Sequence, residues 1–243
     1  MRVTIVAFAL ILAIACAGCG TKDSGERFSP DKILSAEVDL ELEGSQGPRD
    51  RMAEVVYPMD TRLRKLLQEV ETFDPQGEVT AREAFSGFSW LGEVAVVSLE
   101  GEVQRLYPEG SSGGSGWEEL TDPSGKWQDR RLHSLYPESS SGTVIVLRPI
   151  YTDGEMSQYL AVRFQFASLA RTAPRSRELF ALRPGRVLWP GKQKETSRRL
   201  AELKWDDFLE DRAFGRFRLE QRQYLWLARY IGRTPFFYAI EIS

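Results

Sequence analysis

The sequence predicts an α+β protein in which one long N-terminal helix is followed by antiparallel sheets arranged as two lobes. Three patterns predict it. Residues 50–73 place apolar side chains at helical spacing, and residues 91–107 read as two strands about a Glu100-Gly101 turn. Later in the chain "ELFALRPGRVLWPG" forms a second hairpin pattern about Pro184-Gly185, so the order hairpin, long connection, strand pair occurs twice.

The first residues, "MRVTIVAFALILAIACAGC", carry Arg2, an apolar run from Val3 to Ala15, and the small residues Ala17 and Gly18 before Cys19. This is the pattern of a secretory signal whose apolar region is too short for a permanent bilayer span. Cys16 and Cys19 are the only cysteines, and both fall here, so no disulfide or metal-binding cysteine pair is expected in the folded part. Removal of residues 1–18 takes away the single charge of Arg2 and moves the formal net charge from −3 to −4. Such mild acidity, with both signs interspersed and no basic block, excludes nucleic acid as the expected partner. A hydrophobic content of 42% is enough for a sizeable core.

In chain order, residues 20–30 are polar and rich in turn formers, a tether. The helix at 50–73 buries Met52, Val55, Val56, Met59, Leu63, Leu66, Leu67 and Val70 on one face, with Pro58 expected to kink or split it. Strands follow at 91–99 and 103–107, and then a connection at 108–142 containing "SSGGSG" and "SSSG". "TVIVLRPIY" is a strand, "TDGE" a turn, and "QYLAVRFQFASLA" a strand whose end turns helical. After the second hairpin comes a helix near 196–211, with "RFRLEQRQYLWLARYI" and "PFFYAIEI" as closing strands.

The kinked helix, "WLGEVAVVSLEGEVQRLYP", "GTVIVLRPIYTDGEMSQYLAVRFQF", "LFALRPGRVLWPG" and "RQYLWLARYIGRTPFFYAIEIS" together resemble the extracytoplasmic Cache sensor family, whose fold is PAS-like. The likeness covers nearly all of residues 50–243 and lies in element order, without one diagnostic motif. It implies a signal at 1–18, a tether at 19–45, a larger distal lobe at 46–175 and a smaller proximal lobe at 176–243. The ending "CAGC" is similar to a bacterial lipobox, with Cys16 where Leu, Ile or Val is usual. That similarity implies an acylated Cys19 and, since Gly20 follows, a periplasmic protein on the outer membrane in preference to the inner.

A sheet face covered by a loop instead of a packed helix can hold a small molecule, and connections this long inside a domain are usually functional or disordered. The 108–142 connection brings Trp117, Trp127, Arg130, Arg131 and Tyr136, aromatic surface beside guanidinium groups that suits a small organic anion or zwitterion. Arg148, Tyr151 and Asp153 on the next strand and its turn complete the candidate ligand-binding set. In the amino-acid-binding branch of the family, an Arg followed by Trp grips the carboxylate and an Asp ending the fourth strand takes the amine. Here Lys126-Trp127-Gln128 and Gln165 occupy those places, a departure that argues against amino acids as such.

Catalysis is not expected, because His133 is the only histidine and a lone loop histidine is usually solvated. Asp206 with Glu210 and Asp207 with Asp211 share helical faces at i, i+4, the pattern of a charged exposed face more than of a metal or glycosidase pair. No cofactor or metal is expected. The sequence therefore leads to a lipid-anchored sensory module that binds a small organic ligand and signals through a separate partner protein. The alternative is an envelope structural or assembly lipoprotein that uses the same fold as a protein-interaction surface.

Overall fold

The computed structural model describes residues 47–110, 117, 120, 129–138, 140–210 and 212–242. The leader, Cys19 and the tether lie outside them. Helix α1 (Pro48–Thr72) opens with Pro at its first position, where a missing N–H costs nothing, and the Gly47 N–H donates to Asp50 Oδ2 at 3.1 Å. All eight apolar residues of the expected stripe are buried. The helix runs through Pro58 without a break, because the stripe is anchored in the core on both sides of it. Among the described residues no helix is long and apolar enough to cross a membrane.

A short helix α2 (Ala81–Phe85) follows, which the periodicity alone misses. Thr80 and Glu83 cap it reciprocally: the Glu83 N–H donates to Thr80 Oγ1 at 3.3 Å, and the Thr80 N–H to Glu83 Oε2 at 2.9 Å. Then come β1 (Leu91–Ser98), β2 (Val103–Tyr107), β3 (His133–Leu135), β4 (Thr143–Thr152) and β5 (Glu155–Gln165), forming a fully antiparallel sheet of order β2-β1-β5-β4-β3. Asp153 and Gly154 join β4 to β5 with φ of 53° and 88°, the left-handed pair that a tight two-residue hairpin demands. As expected, the end of the fourth long strand turns helical, as α3 (Phe166–Ala170).

The second half repeats the plan. Strands β6 (Leu179–Arg183), β7 (Arg186–Trp189), β8 (Phe214–Leu219), β9 (Arg222–Ile231) and β10 (Thr234–Glu241) form a sheet of order β7-β6-β10-β9-β8, the same relative order as the first. Two corrections to the sequence reading belong here. The helix expected at 196–211 is two helices, α4 (Lys194–Ala201) and α5 (Trp205–Leu209), and the long run at 216–231 is a hairpin of β8 and β9. That hairpin turns at Glu220, whose φ of 57° is uncommon for a glutamate, so the turn carries no sequence signal.

One face of each sheet meets α1 in a single continuous core, which includes Val94, Val146 and Val162 from the first sheet and Leu179, Phe236 and Tyr238 from the second. The outer face of the second sheet is closed by α4 and α5 over an aromatic cluster centred on Trp205. The two sheets also touch through the β9–β10 turn. A Cβ on Gly232 would sit 2.0 Å from the Leu132 carbonyl oxygen, and Ser134 Oγ donates to the Ile231 carbonyl at 3.2 Å. Only glycine fits there, so the segment leading into β3 rests directly on the second sheet.

Candidate functional site

Alternation along the strands divides the first sheet cleanly. On β5, Leu160, Val162 and Phe164 face α1, whereas Tyr159 and Ala161 face the 108–142 connection, as do Ala95 and Val97 on β1 and Ile145 and Leu147 on β4. Trp117 and Leu120 from the connection pack onto this second face, and all eight side chains are buried in one cluster. The floor under the connection is therefore apolar and filled.

At one margin of that floor stands a charged group that inspection of the connection alone does not find. Arg163 and Glu93 form an ion pair across neighbouring strands with their side chains only 15% and 12% exposed. The Arg163 guanidinium lies 4.8 Å from the centre of the Trp117 ring, a cation–π contact in a partly dry setting. Trp117 itself is 4% exposed, and its indole N–H has no acceptor among the described residues. Buried donors are normally satisfied, which makes this one a candidate point for a ligand's acceptor. The available sequence signal was that "LGEVAVV" and "YLAVRFQ" each carry a single charge on a strand whose neighbours are apolar, and those charges are opposite.

The residues expected from the sequence separate into four places. Trp117 is on the loop-covered face, as described. Arg130 and Tyr151 meet at the β4–β5 hairpin, the opposite end of the sheet from Arg163, which pairs with Ile145 near the start of β4; the guanidinium is 5.0 Å from the ring centre, and the exposed Asp153 occupies the adjoining turn. Asp129 beside them holds His133 Nε2 at 2.7 Å and Arg233 of the β9–β10 turn at 3.6 Å, linking this end to the second sheet. Trp127 lies outside the described residues.

Tyr136 and Arg148 are elsewhere. Tyr136 is buried between the sheets, its ring 4.1 Å from the Arg183 guanidinium and its carbonyl accepting from Arg186; burial pushes its hydroxyl above the usual tyrosine range. Arg148 is on the α1 side of β4 and donates to the Phe73 carbonyl at the helix end. Burial lowers its pKa, with Asp74 and Glu71 pulling the other way. The alternation of β4 explains the difference, since Arg148 follows Leu147 and so takes the opposite face. Gln165, at the place where the family's amino-acid sensors carry an acid, donates to Thr143 Oγ1 at 2.6 Å.

No family model matches this chain, and no curated protein matches it. Among solved structures, the extracellular domain of vpHK1S-Z8, described as a histidine kinase, aligns over 80% of this chain and 94% of its own with a TM-score of 0.51 and 9% identity. The extracellular domain of rpHK1S-Z16, described in the same way, aligns over 79% and 90% with a TM-score of 0.50 and 15% identity. An extracellular ligand-binding receptor from Desulfohalobium retbaense gives 0.48 and 14% over 79% of this chain, which spans 38% of that receptor's length. At these identities the likeness is one of fold. The α+β arrangement of two antiparallel sheets and a long N-terminal helix is that of extracellular Cache-type sensor domains.

Proposed function

We propose that this Cache-type fold serves as a lipid-anchored periplasmic sensory module that binds a small organic ligand with an anionic group and signals through a separate protein. The observation that carries the reading is the margin of the loop-covered face, where the Trp117 N–H, without an acceptor among the described residues, lies beside the Arg163 guanidinium. The N–H offers a neutral donor, and the guanidinium, already paired with Glu93, adds positive charge beside it. Trp127 from the connection stacks on the ligand body in this reading, and Arg130 with Tyr151 and Asp153 forms the far rim of the face, at the β4–β5 hairpin end, away from Arg163. Residues 46–175 constitute the distal, ligand-binding lobe and residues 176–243 the proximal lobe. The contacts of Asp129 with Arg233 and of Ser134 with Ile231 are the route between them, because they join the rim to the β9–β10 turn.

The test is a thermal-shift screen against organic acids, amines and amino acids, followed by titration of any hit with Arg163→Gln, Arg130→Ala and Trp127→Ala. Loss of one charge-assisted partner is expected to weaken binding about ten- to a hundredfold, with Asp207→Ala unchanged as an off-site control. A hit whose affinity none of the three substitutions alters would refute the site.

A second reading has its own observation. The eight side chains under the connection fill the face, as in a module that meets a partner protein through its surface. A screen without hits, together with retention of a partner on the immobilised chain, favours that envelope-assembly role. Both readings require the anchor. Cys19→Ser is expected to release the protein from membranes, and Cys16→Ser to leave it attached; fractionation of the two variants decides this point.

A further inference from the structure

A cation-lined cleft lies at the other sheet. Between the start of α1, the 3-10 turn Ser176–Glu178 and the end of β10 is a cleft of about 270 Å³. Arg51, Arg177 and Lys192 line it, opposite Glu178 and Glu241, with Phe180 as an apolar wall. The carboxylates are already engaged. Glu178 takes Arg51 at 2.6 Å and Arg175 at 3.1 Å, and Glu241 takes Arg222 at 3.1 Å. Arg177 and Lys192 have no carboxylate partner among the described residues. The cleft therefore carries more cation than its own acids neutralise.

Local packing holds these two cations together. Trp189 Nε1 donates to the Ser176 carbonyl at 2.7 Å, pinning the end of β7 over the 3-10 turn. Gly191 has φ of 58°, and a Cβ there would come within 2.6 Å of the Leu179 carbonyl and 2.9 Å of the Arg177 carbonyl. The absence of a side chain lets the turn that carries Lys192 lie directly on the backbone that carries Arg177. The site is thus built before any ligand arrives, which reduces the ordering cost of binding.

We infer that this cleft binds a phosphate group, with Arg177 and Lys192 supplying its direct charged donors, while Arg51 stays on Glu178. Phosphate fits better than a carboxylate because two cations without carboxylate partners among the described residues line the cleft from separate segments, matching an anion of higher charge. Such a group is available from a soluble phosphate ester or from the headgroups of the membrane that anchors the chain. The lipid source alone rests on the anchoring proposed above.

The experiment uses the full chain, purified in detergent and titrated calorimetrically with inorganic phosphate and with glycerol 3-phosphate at constant ionic strength. Saturable binding is expected, weakened about tenfold in Arg177→Gln and in Lys192→Gln and unchanged in Arg82→Gln on α2. Repeating the phosphate titration after reconstitution separates the sources. Loss of the signal in vesicles of phosphatidylglycerol, with retention in phosphatidylcholine, identifies an anionic lipid headgroup as the occupant, whereas retention in both identifies a soluble phosphate. No binding of either phosphate by the well-folded chain, or equal binding by all three variants, overturns the inference. Fractionation of Cys19→Ser reports on the anchor independently, so the two ideas can fail separately.

Discussion

Trp205→Ala is expected to destabilise the protein by about 3–5 kcal/mol, as truncation of a fully buried tryptophan does. Trp205 is 0% exposed on α5 and joins the helix layer to the second sheet. Its ring stacks on Phe237 with centroids 4.3 Å apart and meets Phe208, Phe217 and Trp226 at 5.4 to 6.0 Å. Its indole N–H donates to the Leu200 carbonyl at 2.9 Å, so the alanine variant also loses that hydrogen bond and leaves the carbonyl its backbone donor, the Leu203 N–H at 3.3 Å. Against a typical total of about 5–15 kcal/mol, the loss approaches the limit of a stable fold. Trp205→Phe keeps most of the stack and forfeits one hydrogen bond, at a cost of about 0.5–1.5 kcal/mol. Urea unfolding measures both. A loss below about 1 kcal/mol for the alanine variant would mean that α5 is detached from the sheet in solution.

Arg229→Met should cost about 3–5 kcal/mol at neutral pH, because it strips a buried carboxylate of its closest cation. Asp60 on α1 accepts from Arg229 Nε at 2.6 Å, with the two side chains 12% and 20% exposed. Burial raises the Asp60 pKa above the ordinary carboxylate value, while Arg229 and the more distant Arg64 pull it down. The same burial, reinforced by the Asp60 charge, drives the Tyr238 hydroxyl well above the usual tyrosine range. Between the ordinary aspartate value and the raised one, the native state holds a proton that the unfolded chain has released. The contribution of Asp60 to stability is therefore present at low pH and falls as pH rises through that window.

Removing Arg229 widens the window, so the penalty in Arg229→Met shrinks as the solution is acidified and Asp60 becomes neutral. A double change, Asp60→Leu with Arg229→Met, should recover most of the loss at neutral pH, since an apolar pair of similar volume replaces a desolvated ion pair. Unfolding curves across a pH series test this. A penalty that stays constant with pH, or a double variant no more stable than the single one, would show that the pair is solvated in solution.

The elements legible in the sequence are those whose burial follows a simple period. The stripe from Met52 to Val70 repeats at helical spacing over many turns, and every member is buried. The strands at Leu91–Ser98 and Val103–Tyr107 alternate about a glycine turn with φ of 89° at Gly101, a conformation the residue type itself announces. From these, the α+β class and the doubled hairpin order followed.

Other features exist only because distant segments meet. Strand β3 is three residues long and is held by pairing with β4, so no period of its own can reveal it. The turn at Glu220 is imposed by the β8–β9 register on a residue with no preference for it. The same holds for the sites. Aromatic and guanidinium groups in the connection draw attention to the loop-covered face of the first sheet, where Trp117 packs, but the Glu93–Arg163 pair depends on register between two strands some seventy residues apart. Arg148 has the right chemistry and lies on the other surface, because a strand sends successive side chains to opposite sides, and Tyr136, just past β3, is taken into the main core. Local period determined which segments are helices and strands; register and the packing of one sheet against the other decided which charges face one another.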